Sequence, residues 1–183
     1  MNQSILWRGI DLRGHEACRL YQVQTEWNLE GTAVFTSDNR TYRLSYLVIC
    51  DSDWKTQRGF VSGWVDNDNL DIEISVDSFQ NWRMNGVDQP AVSSCVDLDL
   101  NFSPSTNLLP IRRLNLGIGD HGEVKAAWLR FPSFELEPLT QVYTRLDEST
   151  YRYSSDGGKF ICDLTVNEAG LVTNYPGIWQ VEQ

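Results

Sequence analysis

The stretch SPSTNLLPIRRLNLG, residues 103–117, sets two adjacent arginines among leucines. A guanidinium fork meets a carboxylate or phosphate through two parallel hydrogen bonds. Arg112 and Arg113 are therefore candidates for a clamp onto the protein's own acids, or for a grip on the anionic or sugar head group of a ligand. Neighbouring residues on a helix diverge by about 100°, so one arginine can do each. Carboxylates lie just upstream: in CVDLDL, Asp97 and Asp99 share one face of a strand because side chains alternate. Thr106 and Asn107, before the arginines, divide in the same way between helix capping and head-group contact.

Aromatic residues are abundant, with seven each of Trp, Tyr and Phe. Ring faces suit acyl chains and sugars alike, although the ordinary role of a strand aromatic is core packing. Of the tryptophans, Trp64 and Trp128 fall in clear strand patterns and are the candidates for lining a groove. Signals for catalysis are poor. His15 and His121 belong to no recognised metal-binding motif, and no nucleophile elbow, phosphate loop or zinc-protease motif is present. LGIGDHG reads as a turn, since no helix pattern follows it. The carboxylate pairs Asp51 with Asp53, Asp66 with Asp68, and Asp97 with Asp99 keep a hydrolase of sugars or lipid esters open. Cys18, Cys50, Cys95 and Cys162 are scattered through apolar contexts without metal spacing, and read as buried free thiols. No metal or organic cofactor is expected.

These residues must be held by strands. In LDIEISVD, Leu70, Ile72, Ile74 and Val76 face one way and Asp71, Glu73, Ser75 and Asp77 the other, as in a half-buried antiparallel strand. TYRLSYLVICD puts Tyr42, Leu44, Tyr46, Val48 and Cys50 on one face. Similar alternation recurs in RGFVSGWV, EVKAAWLRF and KFICDLTV. Turn chemistry separates the runs at 37–39, 66–68, 84–90, 119–122 and 155–158, giving a dozen strands or slightly more in one domain, 1–183. Only 103–117 resists. There the sequence predicts a short helix capped by Asn107, with Pro110 in its first turn and Gly117 at its end. It is apolar on most faces, as an enclosed helix is. A curved, many-stranded antiparallel sheet wrapped around a single α-helix is the expected fold.

A net charge of −10 argues against nucleic acid as partner and against anionic membrane surfaces. The N-terminal MNQSILWRGIDLRGHE has no positive region followed by an apolar stretch, and the longest apolar run, Leu47 to Cys50, is far short of the roughly 20 residues of a span. A cytoplasmic protein without membrane insertion is the expectation.

CVDLDLNFSPSTNLLPIRRLNLG (95–117) resembles the core of the putative glycolipid-binding proteins, a bacterial group first known as a domain of unknown function. YLVICDSDWKTQRG (46–59), AAWLRFPSFEL (126–136) and GLVTNYPGIWQ (170–180) extend the likeness over nearly the whole chain. The resemblance implies a spiral β-roll like that of the lipoprotein carriers of the bacterial envelope, a homodimer, and non-enzymatic binding of an amphiphile such as a glycolipid. The ligand would sit in an aromatic-lined groove between sheet and helix, met by Arg112, Arg113, Thr106, Asn107, Trp64 and Trp128. A carboxylate-dependent hydrolase and a protein-interaction module stand as the alternatives.

Overall fold

The computed structural model describes residues 2–182. Fifteen strands form one sheet with two wings. The first wing comprises β1 (Gln3–Gly9), β2 (Arg13–Val23), β3 (Glu26–Ser37), β4 (Arg40–Cys50), β5 (Thr56–Val65), β6 (Asp68–Val76), β7 (Trp82–Met84) and β8 (Val87–Asp88). The second comprises β9 (Asp97–Leu100), β10 (His121–Arg130), β11 (Glu135–Arg145), β12 (Thr150–Ser155), β13 (Phe160–Val166), β14 (Val172–Tyr175) and β15 (Trp179–Val181). The spatial order runs β8 to β1 and then β15 to β9. The first and last strands thus pair in the middle, with Trp7 opposite Val181.

Neighbouring strands are antiparallel except β9 and β10, which run parallel with Asp99 opposite Trp128. A parallel pair cannot be joined by a hairpin and needs a crossover, usually helical. That requirement explains why 103–117 departs from the strand pattern: it is the crossover. Its helix α1 (Leu108–Leu114) is the only α-helix among the described residues. The expected boundaries shift. Asn107 makes no capping bond through its side chain. The helix ends at Asn115, in the left-handed region with φ 45°, rather than at Gly117. Asparagine tolerates that conformation at a helix end, and the Gly117 amide instead donates to Asp120 Oδ2 at 3.1 Å.

The sheet does not close into a barrel; it coils so that its β9 end lies inside the roll. One face of β9 packs on the first wing. The Leu98 amide donates to Thr56 Oγ1 at 3.0 Å, and a Cβ built on Gly59 would stand 2.5 Å from Leu98 Cδ2. A larger residue there would have to displace the Leu98 side chain, which packs directly on the Gly59 backbone. Leu98, Leu100, Phe102, Leu108 and Leu109 complete a core with Phe35, Tyr42, Leu44, Ile74 and Trp82. Phe131 stands edge-on to Phe35 and Tyr42 at 5.5 and 5.0 Å. The other face of β9 looks into the second wing, whose smaller core gathers Ile111, Val124, Tyr143, Tyr151, Tyr153 and Leu164. The helix therefore belongs to both cores. Trp7, Trp82 and Trp179 are fully buried; the Trp7 and Trp82 indoles donate to the Val172 and Cys95 carbonyls at 2.6 and 3.1 Å. Cys18, Cys50 and Cys95 are buried and free, whereas Cys162 is half-buried.

Candidate functional site

The second wing leaves its inner face incompletely covered, for a reason of length. At 1.5 Å per residue, the seven residues of α1 span about 10 Å. The ten and eleven residues of β10 and β11 span about 35 Å. Beyond the N-terminal end of the helix a groove of about 500 Å³ opens, lined by Asp99, Asn107, Trp128, Tyr153, Phe160 and Tyr175 among others. Register builds its floor. Trp128 of β10 lies between Asp99 of β9 and Glu137 of β11, so all three side chains leave the same face. Tyr153 meets Phe160 and Tyr175 edge to face at 5.9 and 6.2 Å.

Polar groups in and under the groove are organised. Asn107 Nδ2 donates to the Tyr143 hydroxyl at 2.9 Å, and that bond, rather than a cap, is what its side chain does. Gln141 Nε2 donates to Asp99 Oδ2 at 2.6 Å. Burial pushes the Asp99 carboxyl up to about 6, with the Gln141 bond acting against the shift. The residue is half-buried at the groove wall, and a neutral amide rather than a cation holds its carboxyl. Glu137 accepts from Arg130 Nη1 at 3.2 Å, and the Arg130 guanidinium lies 5.6 Å from the centre of the Trp128 ring.

The six residues singled out from sequence fare differently. Asn107 and Trp128 meet in the groove. Arg113 is the clamp: its Nε and Nη2 donate to the two oxygens of buried Asp97 at 3.0 and 2.5 Å. Arg112 points elsewhere, 5.2 Å from the centre of the Trp54 ring. Thr106 is buried and structural, its Oγ1 accepting from the Leu100 amide at 3.1 Å. Trp64 stands on the outward face of β5, between Arg43 and Asn69 in register. The division has a simple cause: α1 faces β9 with Arg113, so the one fork that reaches a carboxylate is consumed by it. Sequence reasoning did not place Glu137, Tyr153, Phe160 or Tyr175 at a site. Only the alternation in KFICDLTV touches this set, by placing Phe160 in a strand.

A second buried acid went unforeseen. Glu16 is fully enclosed, and its Oε1 accepts from the Tyr46 hydroxyl at 2.5 Å and from Ser103 Oγ at 2.6 Å. Its Oε2 has no partner, and burial pushes the carboxyl up to about 8. It lies on the inner face of β2, where period-two alternation assigns an apolar residue. Among the described residues, no three His, Cys, Asp or Glu side chains gather as a metal site would need, and no helix is long and apolar enough to cross a membrane.

No curated protein matches the sequence. Among solved structures, a DUF1089 family protein from Pseudomonas aeruginosa is similar at 32% identity over 90% of each chain, with a TM-score of 0.78. The sequence matches, over residues 4–181, the family described as "Putative glycolipid-binding". A match of that extent, together with the similar solved structure, makes the chain a member of the putative glycolipid-binding family.

Proposed function

We propose that this protein binds an amphiphile of the glycolipid type, without chemistry, in the groove beyond the N-terminal end of α1. One observation carries the reading. The groove brings four rings, Trp128, Tyr153, Phe160 and Tyr175, together with Asp99 and Asn107, which is the mixture of flat apolar faces and few placed polar atoms that an amphiphile needs. The family description points the same way. Of the residues first named from sequence, Asn107 and Trp128 keep a ligand-binding role, while Arg112, Arg113, Thr106 and Trp64 do not. The same reading takes the chain as one domain acting in the cytoplasm, a location that four free cysteines favour. A homodimer follows from the family likeness, and sedimentation velocity tests it.

The test of binding is titration with octyl β-D-glucoside below its micellar concentration, followed by tryptophan fluorescence and calorimetry. Saturable binding that disappears in Trp128→Ala is expected. No saturable binding, or binding unaffected by that substitution, rejects the site. A hydrolase is the second reading, favoured by one specific feature: Asp99 is a desolvated acid with a raised pKa and no arginine partner, a common profile of a general acid. Turnover of 4-nitrophenyl glycosides, lost in Asp99→Asn, is its signature.

A further inference from the structure

We propose that Asp99 is the specificity-determining residue of the groove, admitting uncharged, hydroxyl-bearing head groups and refusing anionic ones. The inference rests on the binding reading above and adds the class of head group. Its ground is the distribution of charge. Both arginines that sequence offered for an anion lie outside the groove, Arg113 on Asp97 and Arg112 over Trp54. Asp156 is paired with Lys159, outside the lining, and within the lining the acids Asp99, Glu137 and Asp156 stand with a single cation, Arg130. That cation is already engaged, by Glu137 and by the Trp128 ring. A phosphate or sulfonate entering here meets like charge and no free donor fork.

A sugar meets the reverse. Gln141 occupies Asp99 Oδ2, and Oδ1 accepts no bond among those formed by the described residues. A carboxylate in that position accepts from a hydroxyl, and bonds to a charged acceptor are stronger than neutral ones. Trp128, its register neighbour, offers the ring face on which a sugar stacks.

Other groups around Asp99 do not replace it. On its own strand, Asp97 is bound by Arg113 of the helix. Across β11, β12 and β14, burial holds the Tyr143, Tyr153 and Tyr175 hydroxyls protonated, well above their ordinary range. Asp99 itself, pushed up to about 6 by burial, is charged above that value and neutral below it. Its discrimination should therefore weaken in mild acid.

The experiment compares two probes of equal tail, octyl β-D-glucoside and octanesulfonate, the second permanently charged. Affinities are measured at about pH 7.5 and about pH 5, either side of the raised value. At the higher pH the wild-type protein should prefer the glucoside at least tenfold, the equivalent of one charged hydrogen bond. The preference should shrink at the lower pH, and Asp99→Asn should abolish both the preference and its pH dependence. Trp64→Ala, on the outer face, should change neither. The wild-type pH series stands without any variant, so a misfolded Asp99→Asn leaves the test intact. Glucoside binding with a preference indifferent to pH and to Asp99→Asn overturns this proposal and leaves the binding reading standing. A preference for the sulfonate overturns it as well. Failure of both probes to bind at either pH overturns the binding reading and this inference together.

Discussion

The two wings of the sheet carry the same alternation of apolar and polar residues and end with different interiors. In the first wing, Phe35, Tyr42, Leu44 and Ile74 are covered by β9 and by Phe102 and Phe131, and the core is closed. In the second, Tyr143, Tyr153 and Leu164 share a smaller core with a seven-residue helix and with neighbouring rings, and the space beyond the helix is the groove. The carboxylates repeat the contrast on a smaller scale. Asp97 and Asp99 are two residues apart on one face of β9, both desolvated and both raised in pKa. Asp97 has an arginine and serves the architecture; Asp99 has an amide and faces the groove. The difference teaches that burial alone does not make a core. The cover has to match the length of what it covers.

The strongest way to break the comparison is to remove the clamp. Arg113→Leu strands a buried charge on Asp97 and should cost about 3–5 kcal/mol, read by urea denaturation. The double variant with Asp97→Asn should recover most of that loss. In the closed wing, Leu98→Ala should cost about 3 kcal/mol or more, because the layers touch at Gly59 and cannot collapse around the gap. A cost below about 1 kcal/mol would mean that β9 does not seal the first wing.

Glu16 gives a pH test of the closed wing. Its carboxyl is neutral in the fold up to about 8, whereas the unfolded chain ionises it above about 4.3. Over that window the folded state holds the proton more tightly, so its stabilising contribution is complete below the unfolded value and fades as pH rises through the folded one. Stability should drop by a few kcal/mol from about pH 5 to about pH 8. Glu16→Gln should flatten the part above the Asp99 titration near 6. Denaturation midpoints at several pH values check this, and an unchanged slope in the variant would refute it. The smallest stability effect belongs to the open wing. Trp128→Ala should cost about 1 kcal/mol or less, since its ring lines the groove rather than filling the core, while glucoside binding is lost. A large loss of stability there would make Trp128 an ordinary core residue.

Much of this was legible in the chain. Alternation in LDIEISVD and TYRLSYLVICD marked strands whose faces the structure reproduces: Leu44, Val48, Ile72 and Ile74 are buried. The departure from alternation at 103–117 marked the crossover, and one arginine was expected to meet Asp97 or Asp99. Less legible were the details that depend on distant partners. Asn107 reads locally as a cap, yet its amide is taken by Tyr143, thirty-six residues on. Glu16 breaks the apolar face of β2 because Tyr46 and Ser103, remote in sequence, arrive to bond it.

By itself, the sequence determined the local facts: strand or crossover, inner or outer face, and which residue types were available for an ion pair. These follow from a period of two and from turn chemistry, which act over a few residues. The tertiary structure alone decided which arginine was consumed, which aspartate was left open, and where the interior stayed unfilled. Those outcomes hang on how the sheet coils over β9 and on a helix shorter than the strands it covers, and both are properties of the whole chain.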